Sequence, residues 1–72
     1  MDLFESEKSV RLTREEAAAR LRALADEIAG NNALELDESG RRVTVRVADE
    51  VEFSLEVEVE DDERSIEIEL TW

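Results

Sequence analysis

Cysteine and histidine are both missing from this chain of 72 residues. Their absence excludes disulfides, thiol and imidazole catalysis, and the ordinary zinc sites. Aromatic residues are scarce, with only Phe4, Phe53 and Trp72 present. Long apolar stretches are also absent. The longest unbroken runs have three residues, Ala17–Ala19 and Ala23–Ala25, far short of the roughly 20 residues a bilayer-spanning helix needs. The opening Met1–Glu5 lacks the basic and apolar regions of a signal peptide, so a cytoplasmic location without membrane association is expected. One domain covering residues 1–72 is expected from the length. A chain this short buries only about 60% of its unfolded surface, so its core must be thin.

Lysine occurs once, at Lys8, while the chain carries 9 Lys+Arg and 21 Asp+Glu for a formal charge of -12. Few aromatics and high charge can signal disorder. Here 42% of the residues are hydrophobic, and they recur with strict period, which argues for a folded chain. A specialised acidic binder, such as a nucleic-acid mimic, is a second reading. We favour a third, a protein adapted to near-saturating salt. At molar ionic strength the Debye length falls to about 3 Å, so self-repulsion is screened. Acidity is then a background property and carries no information about partners.

Residues 13–29 have the pattern of one helix. Thr13 and Glu16 have the spacing of a capping box, and Glu15 and Glu16 suit the positive end of the helix dipole. Ala17, Ala18, Leu21, Leu24, Ala25 and Ile28 fall on one face. The small alanines on that face imply close packing against a sheet. Glu16 and Arg20 form an i,i+4 pair in the favourable order. Gly30, followed by Asn31 and Asn32, supplies a left-handed stop.

Beyond Asn32 the apolar period changes to two. Leu34 and Leu36, then Val43, Val45 and Val47, alternate with polar residues. So do Phe53, Leu55, Val57 and Val59, then Ile66, Ile68, Leu70 and Trp72. Such alternation predicts a sheet with one buried and one wet face. Short connections make the pairs antiparallel hairpins. A turn at Ser39–Gly40 sets Leu36 opposite Val43, Leu34 opposite Val45 and Asp37 opposite Arg42. A turn about Asp62–Glu63 sets Val59 opposite Ile66, Val57 opposite Ile68, Leu55 opposite Leu70 and Phe53 opposite Trp72. Residues 3–11 suggest a polar edge strand. The expected fold is α+β: a single antiparallel sheet of about five strands, running strand, helix, four-strand meander, with one helix on one face.

In that register Glu58 faces Glu67 and Glu56 faces Glu69. This carboxylate face is read as a solvated, salt-adapted surface in preference to a cation site or a docking face for a basic partner, because a flat strand face spreads its oxygens apart. No cleft-forming insertion exists to separate carboxylate pKa values, and Ser39 has no base to activate it. No catalytic, cofactor or metal residue is therefore expected. Arg41, Arg42 and Arg46 have acidic neighbours and no aromatic platform, so intramolecular pairing is preferred to nucleic-acid binding. Phe53 and Trp72 remain as core-closing or interaction residues.

Three segments resemble the amphi-Trp domain family of small archaeal and bacterial proteins. They are Ser9–Leu24 (SVRLTREEAAARLRAL), Val43–Val59 (VTVRVADEVEFSLEVEV) and Ile66–Trp72 (IEIELTW). The amphipathic last strand ending in Trp is the most specific of them. The resemblance extends over nearly the whole chain and implies a domain without an assigned activity, so it brings no site residues. Asp49–Glu50 stands where relatives commonly have proline, a departure confined to a turn. The acidic, lysine-poor composition looks like that of a halophile member.

The functional expectation is a non-catalytic assembly or protein-interaction module, with a nucleic-acid-associated regulator as the alternative. A homodimer is expected from area. Five strands at about 4.8 Å spacing exceed the roughly 10 Å width of one helix, so part of the apolar face stays uncovered. A further protein partner is compatible with this reading.

Overall fold

The structure is a computed structural model that describes Phe4 and residues 6–72. Helix α1 spans Arg14–Asn31 and is followed by strands β1 (Ala33–Glu38), β2 (Arg41–Arg46), β3 (Glu52–Val59) and β4 (Arg64–Thr71).

Thr13 caps the helix. Its hydroxyl accepts from the Glu16 amide at 3.1 Å, and its own amide donates to the Glu16 carboxylate at 2.9 Å. The capping box is thus complete. It holds the Glu16 carboxyl below its usual value, first through the Thr13 amide, then through the hydroxyl, with a smaller contribution from Arg20. The helix runs two residues beyond the expected end. Asn32, and not Gly30, takes the left-handed conformation with φ 54°, and its amide donates to the Ile28 carbonyl. Asparagine tolerates this region because its short polar side chain can bond locally.

The first hairpin forms in the expected register, with Leu36 opposite Val43, Leu34 opposite Val45 and Asp37 opposite Arg42. Ser39 and Gly40 have φ of 50° and 77°, the positive pair that a two-residue type I′ turn requires. On its wet face Arg42 lies 3.4 Å from Asp37 and 3.9 Å from Glu35. The Glu35 amide donates to the Glu27 carboxylate at 2.7 Å, which ties β1 to the helix.

The second hairpin keeps the expected parity and slips by two residues. Phe53 pairs with Leu70, Leu55 with Ile68, Val57 with Ile66, and Val59 with Arg64. The turn centres on Asp61–Asp62, closed by the Glu60 amide donating to the Glu63 carbonyl at 2.8 Å. The slip has an electrostatic reason. Glu58 now faces Ser65 and Ser54 faces Glu69, so Glu56–Glu67 is the one directly opposed Glu pair in this hairpin. Opposed like charges destabilise a sheet, and this register carries one such pair where the expected register carries two.

Among the described residues the single five-strand sheet is not formed. Two separate two-stranded sheets are present, β1–β2 and β3–β4. Residues 47–51 between them form no tight turn, and the Val47 amide donates to the Asn32 carbonyl, which extends the β1–β2 ladder by one rung. The expected N-terminal edge strand is also absent among the described residues, where residues 6–12 have no regular structure. Residues 3 and 5 lie outside the described set. Among the described residues the helix packs on β1 and on no other strand. Among the described residues Ala33 alone is buried, at 4% exposure.

Candidate functional site

Alternation along β3 and β4 sorts the hairpin into two faces. One carries Phe53, Leu55, Val57 and Val59 beside Ile66, Ile68 and Leu70, with Arg64 near the tip. The other carries Ser54, Glu56, Glu58, Glu67 and Glu69. In most two-stranded units the apolar face is covered by a neighbouring layer. Here it is open. Its apolar side chains, with Trp72, are exposed between 36% for Leu70 and 70% for Ile66. Soluble monomers seldom leave a contiguous apolar patch beyond a few hundred Å².

A second apolar stripe is open on the helix. Leu21 is 52% and Leu24 41% exposed, and Ala17 and Ala25 are also exposed. Only Ala18 and Ile28 of the expected inner face are half-buried. The stripe that was to lie on the sheet therefore touches β1 alone. An uncovered apolar face is present, but not for the reason the widths gave, since no five-strand sheet forms among the described residues.

Phe53 and Trp72 are not cross-strand partners, because Phe53 pairs with Leu70. Trp72 lies beyond the last paired residue of β4, and both aromatic rings are more than half exposed. Neither closes a core within the chain. Leu21 and Leu24 join them as candidate contact residues, although their helical period pointed to an internal role.

The polar face offers less. Among the described residues no three carboxylates are grouped to hold a metal ion. A solvent-open groove is lined by Glu7, Lys8, Ser54, Glu56, Glu67 and Glu69. In the cluster Arg41, Arg42 and Arg46, Arg42 lies beside Asp37 and Glu35. Among the described residues no helix is long and apolar enough to cross a membrane.

The sequence profile of the amphi-Trp domain family matches residues 1–72. The chain belongs to the amphi-Trp domain family. The match of this amphi-Trp domain covers both strands of the open hairpin. No curated protein and no solved structure matches the chain.

Proposed function

We propose that this amphi-Trp domain is a non-catalytic assembly or protein-interaction module of a salt-rich cytoplasm, and that the apolar face of β3–β4 is its interaction surface. One observation carries the reading: eight large apolar side chains on one hairpin are left in water. Burying them removes apolar surface from water, which is favourable by about 25 cal/mol per Å². The acidic composition supports a salt-rich setting, because such a charge is tolerable where it is screened. The test is an environment-sensitive apolar dye added to dilute protein at molar KCl. Dye binding is expected, and a paired Leu55→Glu, Ile66→Glu variant should lose it with unchanged helicity. A wild-type chain that excludes the dye while its mass in the same sample is that of one chain, and a variant that unfolds, would mean the face is an internal core.

A further inference from the structure

The open hairpin face and the open helix stripe belong to one chain, and we infer that each covers the other across two copies. The β3–β4 hairpin of one chain lies on α1 of its partner, and the partner's hairpin lies on α1 of the first. This rests on the reading of the hairpin as an interaction surface and names its occupant.

Area is the first argument. The chain exposes 6980 Å². A compact monomer of 8.2 kDa exposes about 4,500 Å², which leaves an excess of roughly 2,400 Å². Its radius of gyration is 14.2 Å, against about 11 Å for a compact chain of this length. Obligate homodimers bury about 2,000–5,000 Å² in total, or roughly 1,000–2,500 Å² on each chain. Covering half of the excess on each copy reaches that range. The remainder includes residues 6–11, which are exposed and without regular structure.

Dimensions are the second argument. Helix α1 has 18 residues, or about 27 Å at 1.5 Å per residue. Strands β3 and β4 have 8 residues each, or about 27 Å at 3.4 Å per residue. A two-stranded ribbon is about 10 Å across, as is a helix with its side chains. Ala17, Ala18 and Ala25 let a sheet approach the helix axis closely. Within the chain this fit is not used. Beyond the groove that Ile28 shares with Val51 and Leu70 at the C-terminal end of the helix, α1 does not pack along β3 or β4.

Charge and symmetry complete the argument. The apolar face carries no carboxylate, since the glutamates of β3 and β4 alternate onto the other side. A basic partner would find nothing there to recognise, whereas an apolar stripe of matching length fits. Exchange about one two-fold axis covers two hairpins and two helices with the same pair of contacts, and exchange of an identical element is a low-cost route to a dimer. Packing hairpin on hairpin would leave both helix stripes in water.

Because the chain has no cysteine, Leu24→Cys and Ile68→Cys give unique thiols, with Val57→Cys as a second hairpin position if the Ile68 variant loses helicity. The wild-type mass is measured at molar KCl. The helix and hairpin variants are then mixed, equilibrated and mildly oxidised. A dimer mass with helix-to-hairpin disulfides several-fold in excess of like-with-like disulfides is expected. A dimer that links only hairpin to hairpin overturns the exchange. A monomer whose hairpin thiol reacts freely with maleimide overturns self-association and leaves the face to a different protein. A monomer with a protected thiol means the hairpin closes on its own helix, which overturns this inference and the proposed function together.

Discussion

Truncation of Ile68 separates an open hairpin from a covered one. In the lone chain Ile68 is 46% exposed and pairs with Leu55. Full burial of such a side chain contributes about 1.5–3 kcal/mol, and roughly half of that is in place without a partner. Ile68→Ala should therefore cost about 1 kcal/mol in the isolated chain, with no enclosed cavity left behind. Under a partner's helix the same truncation removes a fully enclosed side chain, and such changes cost about 2–5 kcal/mol. For a domain of this size each kcal/mol moves the melting temperature by about 4–8 °C. Melting curves of both proteins, followed by helical circular dichroism at molar KCl over two decades of protein concentration, read the difference. The variant should melt several degrees below wild type at the dilute end, and the gap should at least double at the concentrated end. A gap that does not change with concentration refutes the reasoning.

Thr13→Ala removes the cap and should cost about 1 kcal/mol, seen as a lower melting temperature. The Glu16 carboxyl is lowered from its ordinary 4.5 in the fold, so its contribution is present above that pH and is lost as pH falls through the folded value. The melting difference between wild type and Glu16→Ala should accordingly be constant near neutrality and vanish in acid. Glu56→Lys replaces the Glu56–Glu67 opposition with an attractive pair. It should raise stability by a few tenths to about 1 kcal/mol in dilute buffer and by less in molar KCl, by thermal melts at both salts. Gly40 has φ 77° with open space around it. Gly40→Ala should thus cost about 1–2 kcal/mol through backbone strain alone, measured by chemical denaturation.

Local signals in the sequence carried the helix and all four strands of this fold. The Thr13 and Glu16 spacing located the helix start, and period-2 apolar residues located each strand. Ser39–Gly40 fixed the first register because a two-residue turn with positive φ leaves no choice. The second hairpin tip, Asp61 to Arg64, has no residue that demands a particular turn. Parity alone therefore allowed two registers, and relief of a Glu–Glu opposition distinguishes them. The split into two sheets was not legible, because residues 47–51 carry no glycine or proline to mark a break. The Val47 amide only continues the β1–β2 ladder at Asn32, and residues 47–51 then lead away from it without regular structure. Phe53 lies on the apolar parity opposite Leu70, and the slip in register leaves Trp72 beyond the paired residues. The openness of Leu21 and Leu24 could not be read from their period, since a stripe has the same spacing whether its cover lies in the same chain or another.

The claim that a second copy covers the hairpin and helix is tested most directly by the mass of the unmodified chain. Light scattering at molar KCl, taken across a wide range of protein concentration, should give twice the 8.2 kDa chain mass at the concentrated end and fall toward one chain on dilution. A mass of one chain at every concentration would contradict it.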